Sequence, residues 1–354
     1  MRNNARKNVI YSIILLLIVF IVFLYRQNQQ NPPESGSVEQ DGKVTLTGET
    51  MGTTYRVVYL DEQSRDFKKQ IDSVLVAFNN SQSTYIPDSE ISRFNRQDTL
   101  EFESKYFLEV LEASKDVFEL TSGAYDPTIG PLVNVWGFGP EGAQRKDSTE
   151  IKDLLRLVDF NLIQYDSSKV WKTKPGVYLD FSAIAKGYGV DVVVDFLEGQ
   201  GIYNMLVEIG GELVGRGVNE NGELWKVGIN QPDEDGARDD LFSIIALDDQ
   251  GLATSGNYRN FYERDGVKYS HTISPKTGFP VRHGLLSATV VAENCMLADA
   301  YATALMVMGT EEAIALQKSS KAFEVLLIYN DEEGNLATFV SEGLKPFISF
   351  IDRD

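Results

Sequence analysis

The stretch that decides the fold is residues 269–308, YSHTISPKTGFPVRHGLLSATVVAENCMLADAYATALMVM, which contains both histidines and the single cysteine of the chain. Turn-forming residues predict a loop at its start, followed by a strand over residues 287–293 and a helix whose first turns contain Asp299. Asp299 and Thr303 have i and i+4 spacing, so their oxygens lie on one helix face about one turn apart. Two hard oxygen ligands in this arrangement suit Mg²⁺. Alternatively, Asp299 complements the helix dipole, and Thr303 packs or bonds to the helix backbone.

The amino terminus predicts a membrane anchor. Residues 9–25 are apolar and uncharged, and basic residues stand on both sides of them. At about 1.5 Å per residue this run spans a bilayer core. The residues after it offer no small-residue cleavage site and no cysteine for lipid attachment, so we predict an uncleaved signal anchor over residues 1–27. The basic residues before the run place that end in the cytoplasm. We therefore expect a single-pass protein of the inner (cytoplasmic) membrane with its bulk on the periplasmic side.

The rest of the chain divides into a tether and a globular part. Residues 28–42 are rich in Pro, Ser, Gln and Gly, which predicts a polar tether. Residues 43–354 are long enough for one large domain or two closely packed subdomains. With one cysteine, the chain forms no intramolecular disulfide, so its stability depends on the core.

The charge of the chain limits its ligands. The formal net charge is −19, and because residues 1–30 contribute four positive and no negative side chains, the remainder carries −23. Such a surface repels nucleic acid, so we expect no nucleic-acid partner. A phosphate ligand would also be repelled unless a local cation compensated, and the chain contains no GxxxxGK[ST] loop to bind one. A bound divalent cation is the natural alternative.

Hydrophobic periodicity predicts an α+β fold, because strands outnumber helices and follow one another as hairpin-like neighbours. Strands are expected over 44–60 with a bend at Met51-Gly52, and later over 204–216, 225–230, 242–247, 251–255 and 322–329. Helices are expected over 67–79, 104–122, 151–158 and 311–319. Residues 83–95 are expected to form a loop that packs over a pocket or, alternatively, a surface loop held by its aromatic side chains. Residues 123–139 are expected to form an ordered loop, whose flat rings suit stacking on an aromatic heterocycle.

A possible anion site follows Asp180. A predicted strand ends there, a short turn follows, and a helix begins that carries Lys186 in its first turns. Backbone amides at a helix start together with an ammonium group can bind an anion. The alternative is that Asp180 only caps the helix and Lys186 faces solvent.

Taken together, these segments resemble the ApbE family of FAD:protein FMN transferases over about residues 44–340. Seven motifs occur in the order in which that family has them. They are MGTTY at Met51, STYIPDSEISRFN at Ser83, GAYDPTIGPLVNVWGFG at Gly123, LDFSAIAKGYGVD at Leu179, VEIGGE at Val207, SHTISPKTGFPV at Ser270 and ADAYATALMVMG at Ala298.

The resemblance implies an ApbE-like α+β fold of two packed β-sheet subdomains with flanking helices, placed here after a transmembrane helix. It also implies Mg²⁺-dependent transfer of the FMN half of FAD, the substrate, to a Thr or Ser hydroxyl of an acceptor redox protein, with release of AMP. Asp299 and Thr303 match metal ligands of the family, together with the backbone carbonyl of Ala183. His271 matches a histidine close to the reacting phosphates, and Asp299 is the alternative general base.

The resemblance also implies a set of FAD contacts. They are Met51, Tyr85, Ala124, Tyr125, Asp126, Asp180, Lys186 and Thr272. The chain departs from the family at Ser274, where Asp is frequent. Two other activities use the same residues: hydrolysis of FAD to FMN and AMP, and binding of FAD without turnover.

Overall fold

The computed structural model describes residues 42–139, 148–232, 240–257, 261–264, 267–270 and 272–351. The predicted anchor, the tether up to residue 41, and His271 lie outside these residues. Within the described parts of the chain, no helix combines the length and apolarity needed to cross a membrane. The anchor and its topology therefore stay predictions. Residues 39–354 form one compact unit.

The described residues contain sixteen strands and eight α-helices. The strands are β1 (Lys43–Thr50), β2 (Thr53–Leu60), β3 (Thr99–Glu101), β4 (Ile163–Tyr165), β5 (Lys169–Lys172), β6 (Met205–Ile209), β7 (Glu212–Arg216), β8 (Trp225–Asn230), β9 (Leu241–Leu247), β10 (Gln250–Gly256), β11 (Phe261–Arg264), β12 (Val267–Ser270), β13 (Leu285–Ala292), β14 (Phe323–Asn330), β15 (Leu336–Val340) and β16 (Ile348–Phe350). The helices are α1 (Lys68–Gln82), α2 (Glu90–Arg96), α3 (Lys105–Leu120), α4 (Gly130–Trp136), α5 (Ser148–Leu155), α6 (Ala185–Gly199), α7 (Cys295–Met308) and α8 (Thr310–Ser319).

An eight-stranded sheet with the order β1-β2-β6-β7-β10-β13-β14-β15 forms the centre of the fold, and all its neighbouring strands are antiparallel. The smaller sheets are β16-β9-β8, β3-β5-β4 and the hairpin β11-β12. Helices and antiparallel sheets in this arrangement confirm the predicted α+β class.

The central sheet is covered on both faces at β14. On β14, Val325 and Leu327 belong to the core under the helices, whereas Leu326 and Ile328 belong to the core shared with β8 and β9. This follows from strand geometry, since successive side chains point to opposite faces. Each fully buried aliphatic side chain contributes about 1.5–3 kcal/mol, so the layered core fixes the register of the strands.

Helix α7 packs against α6, β10 and β13. It can do so because Ala298, Ala300, Ala302 and Ala304 are all fully buried and small. A helix enclosed in this way is held on several sides, which makes it a rigid support for Asp299 and Thr303.

Two of the predicted loops contain helices. Within residues 83–95, α2 begins after Ser89, whose side chain accepts a hydrogen bond from the Ser92 N–H. Within residues 123–139, α4 has a proline in its first turn, where the fixed backbone angle of Pro131 favours a helix. In both cases the turn residues that suggested a loop act as helix-start residues instead.

The strand expected to end at Asp180 is shorter than predicted. Only Tyr178 forms a β-bridge, which is parallel and pairs it with Ile129. The Asp180 N–H donates to the Pro127 carbonyl in a preceding loop (2.7 Å) and not to a neighbouring strand. Asp180 is therefore held by a loop contact rather than by a sheet.

Candidate functional site

The hairpin between β1 and β2 positions Met51. Met51 and Gly52 have φ of 50° and 71°, the left-handed conformation that a two-residue hairpin turn requires. Gly189 on α6 leaves room for the Met51 side chain, because a Cβ there would lie 2.5 Å from Met51 Cε. The turn thus places a flexible apolar side chain against the start of α6.

Met51 borders a cavity of about 550 Å³. Four residues predicted to contact FAD line it: Met51, Tyr85, Asp180 and Lys186. The other lining residues are Gly52, Phe78, Asn79, Gln82, Ser83, Thr84, Ile86, Ser182 and Ala185. A concave, largely apolar space with a few polar groups is typical of a site for a small organic ligand.

The side chain of Asp299 accepts a hydrogen bond from the Gly187 amide near the start of α6. In a regular helix the Gly187 N–H would donate to the Ala183 carbonyl, but it donates to Asp299 Oδ2 instead (3.1 Å). The regular bonds beside it, Ala185 N–H to Phe181 and Tyr188 N–H to Ile184, are present. Among the described residues, the Ala183 carbonyl therefore lacks its helical donor.

This arrangement fits Mg²⁺. A carboxylate that is 97% buried, a helix-start carbonyl and the Thr303 hydroxyl one turn along α7 are all hard oxygen donors. Where the chain is described, no group of three or more His, Cys, Asp and Glu side chains is gathered to hold a metal. The predicted set, with one carboxylate, is of a different kind and stays a prediction.

Hydrogen bonds join helices α6 and α7, and each helix donates to a carboxylate of the other. While α6 donates to Asp299, its Asp191 accepts the Cys295 and Met296 N–H groups at the start of α7 (2.9 and 2.7 Å). Burial raises the pKa of Asp191 to about 7. The contact also requires glycine, because a Cβ on Gly187 would lie 2.1 Å from the Cys295 carbonyl oxygen. These contacts define the α6–α7 junction: Gly187, Asp191, Asp299 and the first turn of α7.

Lys186 places a positive charge beside the junction. Its ammonium pairs with the buried Glu212 carboxylate of β7. Burial disfavours the charged ammonium, but the Asp299 and Glu212 carboxylates outweigh it and raise the pKa of Lys186 above its usual value. Lys186 therefore stays protonated and can attract a phosphate group.

Strand β10 links two further predicted residues to the site. Its Ser255 hydroxyl lies 3.4 Å from the Thr303 hydroxyl. Asn257, just past its end, accepts a hydrogen bond from the Thr272 hydroxyl (3.2 Å). The loop that contains Thr272 is thus hydrogen-bonded to the residue that follows β10, the strand whose Ser255 contacts α7.

The segment Ala124-Tyr125-Asp126 is buried and is not among the cavity-lining residues. The Tyr125 hydroxyl bonds to the Ser114 hydroxyl (2.9 Å). Burial raises the pKa of Tyr125, and the carboxylates of Asp299, Asp126 and Asp180 raise it further. The Tyr125 side chain packs in the core. Burial also raises the pKa of Asp126 to about 6.

The structure describes one of the two histidines. His271 lies outside the described residues, so its role stays a prediction. His283 is structural: its Nδ1 accepts the Leu285 N–H (3.3 Å), which leaves Nε2 to donate to the Met306 carbonyl (2.8 Å). It anchors the loop before β13 to the end of α7.

Ser274 closes the turn of its own loop. Its hydroxyl accepts the Thr277 N–H (3.3 Å), and its carbonyl accepts the Gly278 N–H (2.8 Å). An Asp at this position could accept the same amide through its carboxylate. The departure from the family pattern thus preserves the turn.

Sequence reasoning missed two residues of the site, Gln82 and Glu212. Glu212 was inside the VEIGGE motif, but its partner Lys186 is on a different element and no local pattern joins them. For Gln82, the hydrophobic pattern of the sequence could have indicated a buried position. Gln82 continues the buried stripe Ile71, Leu75, Phe78 of α1 at helical spacing, so a polar residue occupies a core-facing position.

Comparison with known proteins gives a consistent result. A sequence model of the ApbE family matches residues 51–327. The chain is 41% identical over 315 residues to the FAD:protein FMN transferase of Vibrio cholerae, covering 87% of this chain and 93% of that protein. It is 38% identical over 302 residues to the FAD:protein FMN transferase of Haemophilus influenzae, covering 81% and 87%.

Solved structures agree with this. The flavin transferase ApbE from Vibrio cholerae superposes with a TM-score of 0.78 at 40% identity, over 86% of this chain and 99% of that one. The apo form of the Pseudomonas stutzeri flavinyl transferase ApbE gives a TM-score of 0.78 at 32% identity, over 88% and 98%. The chain belongs to the ApbE family.

Proposed function

We propose that this protein transfers the FMN half of FAD to a Thr or Ser hydroxyl of an acceptor redox protein and releases AMP. The observation that carries the proposal is the hydrogen bond from the Gly187 N–H to Asp299 Oδ2. It brings the predicted metal ligand Asp299 to the residue directly after Lys186, which lines the cavity with Met51, Tyr85 and Asp180. This supports a diphosphate binding site next to a cavity for a ring system.

The reaction exchanges a phosphoanhydride bond for a phosphoester bond. The acceptor hydroxyl oxygen attacks the phosphorus of the FMN half, the bond from that phosphorus to the bridging oxygen breaks, and AMP leaves with the bridging oxygen. Asp299, Thr303 and the Ala183 carbonyl would hold Mg²⁺, which would supply positive charge for the phosphate oxygens. Lys186 adds a fixed positive charge.

The hydroxyl must also lose a proton. His271 is the proposed acceptor of that proton, since an imidazole with a pKa near its usual 6.5 suits this role. Asp299 is the alternative base. The buried position of Asp299 and its bond from Gly187 fix the carboxylate, which favours a ligand role over a proton-shuttling one.

We further infer that the domain works outside the cytoplasmic membrane, tethered by residues 1–27. The support is the apolar run with its preceding basic residues. Acceptors would then be periplasmic or membrane redox proteins.

The test is to incubate the protein with FAD, Mg²⁺ and a candidate acceptor, and to measure the intact mass of the acceptor. We expect a gain equal to one FMN unit joined through an ester, with one AMP released per flavin attached. AMP release without an acceptor mass gain, for several acceptors, would favour FAD hydrolysis. Bound FAD with no AMP release would favour a binding protein.

A further inference from the structure

Helix α1 has a glutamine, Gln82, at a position where its hydrophobic periodicity predicts an apolar residue. Ile71, Leu75, Phe78 and Gln82 share one helix face, and all four are buried. Gln82 is only 4% exposed. Placing an amide at a core position is costly unless both of its polar ends are bonded.

Only one end of the Gln82 amide is bonded. Its Nε2 donates to the Ser81 hydroxyl (2.9 Å). Its Oε1 is buried and has no hydrogen-bond partner in the described part of the chain. An orphaned buried acceptor costs about 1–3 kcal/mol, so its presence calls for an explanation.

Gln82 lines the same cavity as Lys186. Lys186 marks the end that attracts phosphate, at the start of α6, whereas Gln82 lies at the end of α1 together with Phe78, Tyr85 and Ile86. Apolar and aromatic side chains beside an unpaired hydrogen-bond acceptor are suited to the N–H edge of a flat heterocycle.

We propose that Gln82 is a specificity-determining residue whose Oε1 accepts a hydrogen bond from a ring-edge N–H of the bound dinucleotide. The inference rests on the proposed function, which supplies FAD as the ligand. FAD offers two such donors: the amino group of adenine and the imide N–H of the isoalloxazine. The chemistry is the same for both, and the experiment separates them.

The experiment is a cycle that changes the protein and the ligand together. Dissociation constants are measured by flavin fluorescence in EDTA, so that no FAD is consumed, for the whole chain and for Gln82→Met, which keeps the length of the side chain. The ligands are FAD, the flavin hypoxanthine dinucleotide, which lacks the adenine amino group, and N3-methyl FAD, which lacks the imide N–H. Gln97→Met, at an exposed position after α2, repeats the same chemical change outside the cavity.

We expect Gln82→Met to weaken FAD binding about tenfold. The wild type should prefer FAD to one of the two analogues by a similar factor, and Gln82→Met should lose that preference. Thermal unfolding without ligand should show Gln82→Met as stable as the wild type or more stable, because the orphaned oxygen is gone. Gln97→Met should match the wild type in every measurement.

Two results would overturn the inference while leaving FMN transfer intact. One is a wild type that binds FAD but does not distinguish it from either analogue. The other is a Gln82→Met protein that is less stable and binds all three ligands equally weakly, which indicates a purely structural glutamine. A wild type that binds no FAD would overturn both the inference and the proposed function.

Discussion

Buried polar groups are paired within the protein at the α6–α7 junction, whereas beside the cavity some of them are left unpaired. At the junction, the protein supplies its own partners: Asp299 accepts from Gly187, and Asp191 accepts two amides of α7. In contrast, Oε1 of Gln82, which lines the cavity, and Oε2 of Glu212, which pairs with the lining residue Lys186, are two of the four buried side-chain atoms without a partner in the described residues. The junction is complete without ligand, and the cavity is not.

The difference assigns separate tasks to the two regions. Phosphoryl transfer depends on positioning, so the elements that hold the predicted metal ligands need a geometry that is fixed beforehand. Recognition of a substrate can instead use groups that stay unsatisfied until the substrate arrives, since a ligand lacking the matching group then leaves them unpaired. Changes at the junction should therefore cost more than changes around the cavity.

The largest effect is expected from Asp299→Asn. Asparagine keeps an oxygen to accept the Gly187 N–H but removes the charge that suits Mg²⁺, so folding should survive while activity falls. We expect the rate of AMP release to drop on the order of 10²–10³-fold. Asp195→Asn, on an exposed part of α6, is the matched control and should keep the wild-type rate. An Asp299→Asn enzyme with more than a tenth of that rate at the same Mg²⁺ concentration would exclude the metal role.

Gly187→Ala should break the junction by steric overlap. The new Cβ would lie 2.1 Å from the Cys295 carbonyl oxygen and 2.8 Å from Asp299 Cβ, so α6 and α7 must move apart. We expect a loss of about 3 kcal/mol in the free energy of unfolding, measured with denaturant. Gly199→Ala, at the end of the same helix, meets no atom within 4 Å and should leave stability unchanged or slightly raised. Equal stabilities for the two variants would contradict this picture of the contact.

Local patterns predicted most of the elements that build the site. The β1–β2 hairpin followed from alternation interrupted by Met51-Gly52, and α6 and α7 followed from their helical periodicity. The prediction of loops over residues 83–95 and 123–139 was wrong in part, because residues of the kinds found at Ser89 and Pro131 start helices as readily as they form turns.

The pairing across the site could not be predicted in this way. The bonds between Gly187 and Asp299, and between Lys186 and Glu212, join residues far apart in the sequence. No spacing rule connects them, and only the packing of α6 on α7 and β7 brings them together. The resemblance to the ApbE family named several of these residues but gave no role to Gln82 or Glu212.

Asp191→Asn should alter the pH dependence of stability. The folded state raises the pKa of Asp191 from 3.8 to about 7, chiefly through burial. Between these values the folded protein keeps a proton that the unfolded chain has released, so this group makes stability fall as pH rises from about 4 to about 7. Asparagine removes the effect, and the wild type should lose about 3 kcal/mol more than the variant across that range. Denaturant unfolding at several pH values measures the difference, and parallel curves would refute it.

The smallest effect is expected at the cavity, from Glu212→Gln. Glutamine can still accept a hydrogen bond from Lys186, but the site loses one negative charge beside the phosphate-attracting ammonium. By Coulomb's law, FAD without metal should then bind more tightly and Mg²⁺ more weakly, each by about threefold. Calorimetric titrations with FAD in EDTA, and with Mg²⁺ alone, measure the two changes. Glu220→Gln removes the carboxylate of a surface pair with Lys43 and should change neither affinity. If Glu212→Gln instead weakened FAD binding, the carboxylate would be needed to orient Lys186, and the cavity would depend on a fixed geometry as the junction does.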